Sequence, residues 1–434
     1  MTNPPSNDDK LREIARAAES ARAAGRREEA SRLLAQAQAL APEHPLTHNL
    51  AGLQAVHGGD AASARRHFEI AASKDDRNPA YWLNLATALR RLNLPQEELK
   101  ALERVLAIEP RHLLALLQKA SLLELQGKRK AAAKVYESAM HTIPPGATVH
   151  ETVRPAIERA ITAVRENSAA LDAFLTDRLR TTRERHATAK QERFQHCIDV
   201  LLGKRAIYVP QPTFVYFPKL PAWEFYPRED FPWLDRIEAA TAEIRAEFER
   251  VFAEDAGSLE PYIAYPEGVP LDQWAELNHS RRWSVFFLWR DGEPVTAHLE
   301  RCPRTAELVR QVPFVDVAGY APSVFFSILD AKSKIPPHTG VTNTRLIVHL
   351  PLIIPPGCGF RVGSETREWQ PGRAWVFDDT IEHEAWNNSD VPRAILIFDI
   401  WNPNLSEAER DLVRKAVESV REFYGTEVPL TASE

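Results

Sequence analysis

The chain reads as a multidomain α + β protein, with an α-helical solenoid in its N-terminal part and a double-stranded β-helix, or jelly roll, in its C-terminal part. Three observations predict this. The first 145 residues or so repeat on a fixed spacing. After Pro322 the helical period gives way to short apolar runs separated by Gly, Pro and Asn turns. At 434 residues, the protein is also longer than one ordinary core serves, so two or three domains are expected.

The repeat is visible in five position classes. Pro42, Pro110 and Pro144 fall on a grid of 34 residues, a period typical of helix–turn–helix repeats, with Asp76 in the vacant place. Gly52, Ala86 and Ala120 share it, as do Gly25, Gly59, Asn93 and Gly127, then Leu34, Phe68, Leu102 and Tyr136, then Ala37, Ala71, Val105 and Ala139. The small residues allow two helices to approach closely. Gly or Asn takes the left-handed conformation that ends a helix. The large apolar residue plugs between neighbours, and proline stops the second helix. The pattern resembles tetratricopeptide repeats, with clear repeats at 45–78, 79–112 and 113–144 and a weaker one ending at Pro42. Glu98 stands where a small residue is expected (compare Ala64 and Ala132), which predicts looser packing there. Arrays of this kind offer a concave groove for peptides or partner proteins.

The predicted domains are a helical repeat domain at 8–145, a charged helical linker at 146–205, a jelly-roll domain at 206–405, and a C-terminal helix and tail at 406–434. The linker carries "RTTRERHATAKQER", a solvated helix face rather than a nucleic-acid patch. Its end is abrupt: "YVPQPTFVYFPKLPAWEFYPREDFPWL" is proline- and aromatic-rich and should run extended. A helix is expected over about Asp235 to Phe252, and then an apolar strand ending at the Asp291-Gly292 turn.

Composition excludes several classes. A net charge of −6 gives no electrostatic reason for a nucleic-acid partner. No run of about 18 apolar residues predicts a membrane span, and "MTNPPSNDDKLREIAR" lacks the apolar stretch of a signal peptide. Three widely spaced cysteines suit a reducing compartment, so a cytoplasmic location is expected.

The strands predicted in the last part are "SVFFSILD", "TRLIVHLPLII", "CGFRVG", "AWVFDD" and "RAILIFDIW". Alternation along "RLIVHL" puts Arg345, Ile347 and His349 on one face and Leu346, Val348 and Leu350 on the other. A face bearing Arg and His in an apolar strand lines a polar cavity. His338 lies in "PPHTG", His383 follows a strand, and Arg393 opens the next. Two histidines near strand ends and a following arginine meet the needs of an Fe(II)/2-oxoglutarate oxygenase. Neutral imidazoles bind iron, and an arginine fork holds the far carboxylate of 2-oxoglutarate. By spacing alone, the same histidines read equally well as hydrogen-bonded core residues. Many such oxygenases place a carboxylate two residues after the first histidine, where Gly340 stands here, so the ligand set stays open on this ground.

"PPHTGVTNTRLIVHLPLIIP", "ETREW", "FDDTIEHEAWNNS" and "RAILIFDIWNP" closely resemble the aspartyl/asparaginyl β-hydroxylase domain, densely from Ser323 to Pro403 and more loosely back to Tyr208. The resemblance implies an iron held by two histidines, His338 and His383, with water in place of a protein carboxylate, so Gly340 is expected. It implies that Arg393 and Ser327 hold the far carboxylate of 2-oxoglutarate and that His349 contacts the 1-carboxylate. Ile347 departs from an arginine of the family's animal members, and Arg345 on the same face is the residue placed to compensate. Asp379 either orients water at the metal or serves as a turn aspartate.

The reaction implied uses Fe(II), 2-oxoglutarate and O2 to hydroxylate a C–H bond in a side chain, of the Asp/Asn β-carbon type, in a protein or peptide. That substrate would be captured by the repeat groove and the jelly-roll mouth. The alternatives are a lipid or small-molecule hydroxylase and a non-catalytic repeat scaffold with an inactive jelly roll.

Overall fold

Helices in 34-residue register do form the first part of the protein. The computed structural model describes residues 6–425 except 145 and 255, so the first residues and the expected tail beyond 425 lie outside the described residues. Two compact units result, Met1–Ile198 and Asp199–Glu434.

In the first unit, antiparallel helix pairs follow one another: α1 (Asn7–Ala23) with α2 (Arg27–Leu40), α3 (Pro45–His57) with α4 (Ala61–Lys74), α5 (Pro79–Arg91) with α6 (Pro95–Ile108), and α7 (Leu113–Leu125) with α8 (Arg129–Met140). Each pair turns at a left-handed residue, with φ of 73° at Gly25, 82° at Gly59, 56° at Asn93 and 73° at Gly127. A Cβ at Gly52 would overlap the Phe68 ring, so the two position classes meet face to face. Glu98 does not loosen its pair as expected. It is 2% exposed, and Arg90 Nε donates to it at 2.7 Å, so an ion pair fills the place of a small residue.

The stretch expected as a linker opens with one long helix, α9 (Arg154–Arg185). Its early apolar residues Ile157, Ala160 and Ala163 pack with Ala132, Tyr136 and Ala139 of α8, which caps the array.

Among the described residues, the second unit is built on eleven strands: β1 (Glu260–Pro261), β2 (Trp283–Arg290), β3 (Glu293–Pro294), β4 (Val324–Leu329), β5 (Ser333–His338), β6 (Arg345–Ile353), β7 (Cys358–Val362), β8 (Glu365–Arg367), β9 (Trp375–Phe377), β10 (His383–Asn387) and β11 (Arg393–Trp401). The larger sheet has the order β1-β2-β4-β11-β6-β9, with β3 paired to β2, and the smaller has β5-β10-β7-β8. Every pairing between these named strands is antiparallel. The hairpin from β2 to β3 turns at Asp291 and Gly292, both with positive φ, as a tight two-residue turn requires.

The larger sheet divides its residues between two faces by alternation. Leu346, Val348 and Leu350 of β6 and Leu396, Phe398 and Ile400 of β11 join one core with Ile244, Phe248 and Val251 of the helix Thr241–Glu254. Ile395 and Ile397 of β11 face the other way, into a second core with Phe360, Val362 and Ala385 of the smaller sheet. A helix that was expected as one piece is two, Leu234–Ala239 and Thr241–Glu254. The terminal helix Glu407–Tyr424 packs Val413 and Val417 against Trp401 and Val315.

Candidate active site

Between the two sheets lies a cavity of about 720 Å³ lined by all six expected site residues: Ser327, His338, Arg345, His349, His383 and Arg393. Strand register explains why. His338 ends β5 and His383 begins β10, and the two are direct cross-strand partners in the smaller sheet. Ser327 on β4, Arg393 on β11 and His349 on β6 face them from the larger sheet.

The His338 and His383 rings lie 4.0 Å apart between centroids. His338 Nδ1 is 2.8 Å from the Pro336 carbonyl oxygen, and His383 Nδ1 is 3.1 Å from that of Ile381. A carbonyl only accepts, so each Nδ1 carries its proton and donates, leaving each Nε2 with a free lone pair. Burial pushes the His338 pKa down to about 4 and that of His383 well below the ordinary value, with the neighbouring His338 adding to the latter. Both rings are therefore neutral at pH 7, the form that binds a metal.

The space beside Gly340, two residues after His338, is filled by another residue. A Cβ there would overlap the Asp379 carboxylate, and the Gly340 N–H donates to the Asp379 carbonyl at 2.7 Å. The carboxyl group absent two positions after His338 is thus present in the cavity, delivered from the loop before β10. Burial raises the Asp379 carboxyl to about 7 against the opposing pull of Arg345, and its Oδ1 has no partner among the described residues.

In the same cavity, Arg393 is 1% exposed and, among the described residues, has no carboxylate partner. Burial lowers its pKa to about 10, so it stays charged at pH 7. Its Nη1 donates to Ser327 Oγ at 3.3 Å and to the Ser327 carbonyl at 3.4 Å, while Nε has no partner among the described residues. The guanidinium lies 4.8 Å from the Trp369 ring centroid, and an aromatic face supports the cation without neutralising it. His349 sits between Phe360 and Phe377, with ring centroids 4.9 and 4.8 Å away, and its Nδ1 is unpartnered among the described residues.

Arg345 lines the same cavity, but its charge is already matched. Its Nη1 donates to Asp399 at 2.5 Å, and Asp399 also accepts the Ser323 N–H at 2.9 Å. Its Nε remains without a partner among the described residues. Arg361 points elsewhere, into ion pairs with Glu382 and Glu384.

Four further residues at the site are not among those expected from the sequence: Trp283, Trp369, Trp274 and Asp399. Trp283 Nε1 donates to Ser327 Oγ at 3.1 Å, and Trp274 sets its ring edge-on to His338 at 5.0 Å. Asp399 carried a readable signal, since it shares the period-two face of "RAILIFDIW" with Arg393. The tryptophans carried none, because an aromatic residue in a strand reads as core.

The fold and the cavity define a jelly roll with a buried two-histidine, arginine–serine site. Residues 238–403 match the model of the aspartyl/asparaginyl beta-hydroxylase family. Mouse aspartyl/asparaginyl beta-hydroxylase is 33% identical over 183 residues, 41% of this chain and 24% of that protein. The ornithine lipid ester-linked acyl 2-hydroxylase of Rhizobium tropici is 33% identical over 186 residues, 42% of this chain and 62% of that protein. The matches thus span about a quarter of the first relative and under two thirds of the second. Among solved structures, a crystal structure of MamA protein aligns with a TM-score of 0.30 and 17% identity, over 42% of this chain and 95% of that one.

Proposed function

We propose that this protein is an Fe(II)- and 2-oxoglutarate-dependent dioxygenase that hydroxylates a C–H bond in a side chain of a protein or peptide, of the Asp/Asn β-carbon type. The observation that carries the proposal is Arg393. A buried guanidinium without a carboxylate is costly in an empty protein and calls for an anionic ligand. Ser327 supplies a second polar group beside it, and the two neutral histidines present Nε2 lone pairs in the same cavity.

The donor set fits the iron that such a reaction needs. Nε2 of His338 and His383 would hold it, their tautomers fixed by the Pro336 and Ile381 carbonyls. Among the described residues no third His, Cys, Asp or Glu joins them in a ligand cluster, so water would complete the coordination. When bound, iron with 2-oxoglutarate and O2 supplies the oxidising power, giving succinate and CO2 as one oxygen atom enters the C–H bond. The protein's own residues then bind, orient and enclose. Arg393 and Ser327 hold the far carboxylate of 2-oxoglutarate, and His349 and the remaining N–H of Arg345 face its near end. Asp379 accepts a hydrogen bond from water beside the histidines. Phe360, Phe377, Trp274 and Trp283 form walls that keep bulk water out.

The more exposed charged residues that line the cavity are Glu260, Arg290 and Asp291. That charged rim suits a polar peptide better than an acyl tail, which supports the protein-substrate reading over a lipid one. The repeat array would capture the substrate or a partner, as solenoids do. The cysteines Cys197, Cys302 and Cys358 are all free thiols, in keeping with the cytoplasmic location we infer.

The test is an anaerobic titration of the full-length protein with Fe(II) and 2-oxoglutarate. A visible charge-transfer band is expected, and it should vanish in His338→Ala. No band from a folded wild-type protein would leave the jelly roll a binding module.

A further inference from the structure

We propose that His48, His67 and Glu43 form a binding site for a divalent transition metal such as Zn(II), which ties α3 to α4 in the repeat array. The site lies in the first unit and is independent of the function proposed above. It begins as a departure from the repeat. In the 34-residue register, the place of His48 on the first helix of a pair is held elsewhere by Ile14, Trp82 and Leu116. The place of His67 on the second helix is held by Leu33, Ala101 and Val135. Those three pairs pack their two places into apolar clusters. Of the four helix pairs described, α3 and α4 alone give up that contact, and they put histidine at both places.

The two rings meet, with His48 Nδ1 and His67 Nδ1 3.3 Å apart. Two nitrogens bound to one tetrahedral zinc at about 2.0–2.1 Å stand roughly 3.3–3.4 Å from each other, so the pair already has the bite of a chelate. As the rings stand, one N–H···N bond joins them. A metal takes the place of that proton, which moves to Nε2 of the same ring, and both rings ligate in their neutral form. His48 Nε2 has no partner among the described residues, so no bond there fixes the other tautomer. Burial lowers the His48 pKa, and the facing His67 lowers it further, which favours the neutral ring. Glu43, on the loop before α3, carries the third donor, and its charge lies close enough to His48 for each to shift the other. It now accepts from Lys74 Nζ at 2.9 Å, and among the described residues it does not yet converge with the two rings as a ligand cluster. Its side chain is 81% exposed and free to turn. Binding thus exchanges a surface ion pair, which contributes little, for a carboxylate ligand, with water in the fourth place.

The experiment titrates the full-length His338→Ala/His383→Ala protein, which lacks the cavity's paired histidines, with Zn(II) by calorimetry and with Co(II) by visible absorption. One equivalent of Zn(II) should bind with micromolar affinity, and Co(II) should give the intense bands of a tetrahedral site. His48→Leu, His67→Val and Glu43→Gln should each weaken Zn(II) at least about tenfold. The first two install the residues that Leu116 and Val135 supply at the same register, so the fold should tolerate them. Lys74→Met releases Glu43 and should tighten Zn(II) severalfold. Zn(II) should also raise the thermal unfolding of the repeat array by several degrees, and not do so in His48→Leu/His67→Val. Where the cavity variant does not fold, the wild-type protein is titrated instead, and the equivalent of Zn(II) that His67→Val loses is the one assigned to this site. The absence of saturable binding overturns the proposal, and so does binding that survives His48→Leu, His67→Val or Glu43→Gln. The ring pair would then be a hydrogen bond between two helices and nothing more, with the oxygenase reading untouched.

Discussion

At the scale of the residue, two positions set the character of the cavity. Arg393 holds a charge without a counter-ion, so its replacement should separate binding from stability. Arg393→Met is expected to weaken 2-oxoglutarate on the order of a hundredfold while stabilising the ligand-free fold by about 1 kcal/mol or more, because a desolvated charge disappears. Binding by titration and unfolding by denaturant check the two arms, and a destabilised variant would show that the guanidinium is satisfied without ligand. Gly340 is the second position. Gly340→Ala drives a methyl into the Asp379 carboxylate and should lower Fe(II) affinity about tenfold. Exchanging the two, as Gly340→Asp with Asp379→Gly, returns a carboxylate to the same space and should recover iron binding. A swap that binds no better than Gly340→Ala would assign Asp379 to the turn alone.

At the scale of the element, the α5–α6 pair shows how a repeat absorbs a foreign residue. Burial raises the Glu98 carboxyl, and Arg90 opposes the shift. A carboxyl whose native pKa lies above its unfolded value contributes stability that is complete below the unfolded value and lost as pH rises through the native one. Removing Arg90 takes away the opposing charge and widens that window. Arg90→Ala should therefore cost on the order of 1–3 kcal/mol at pH 7 and less at pH 4, whereas Glu98→Ala, which restores a small residue, should be close to neutral. Thermal unfolding of the two single variants and the double variant at both pH values checks this, and equal losses at pH 4 and 7 would show that Glu98 is neutral in the native array. Strand β5 illustrates the same scale in the jelly roll. It carries Pro336 and Pro337 at an edge of its sheet, where the register against β10 shifts between His383 and Ala385, so the two missing N–H groups fall at an irregularity of the ladder.

At the scale of the whole molecule, the two units have separate cores, and the proposed iron and 2-oxoglutarate touch only one. Calorimetry should resolve two transitions. Mn(II), a redox-inert stand-in for Fe(II), together with 2-oxoglutarate should raise the transition of residues 199–434 by several degrees and leave that of the repeat array in place. His383→Ala should abolish the increase. One cooperative transition that shifts as a unit would show that the array and the jelly roll are coupled in folding.

Much of this was legible in the sequence because it depends on local period. The 34-residue spacing determined where the array turns, and the left-handed Asn93 stands in register with Gly59 and Gly127 as a backbone requirement shared by every repeat. Alternation along β6 and β11 likewise determined that Arg345, His349 and Arg393 would share a face with Ile347, Ile395 and Ile397. Strand pairing and cross-sheet facing belong to tertiary structure alone. Nothing in "SKIPPH" or "HEAWN" announces two strands that set His338 opposite His383, because their proline and polar residues hide the strand pattern. Nor does any spacing reveal that Asp379 fills the space beside Gly340, that Arg345 is matched by Asp399, or that Trp283 donates to Ser327. Those relations join residues 39 to 54 positions apart in the sequence. Local period decides the direction a residue faces, and only the closing of two sheets over one cavity decides what it meets there.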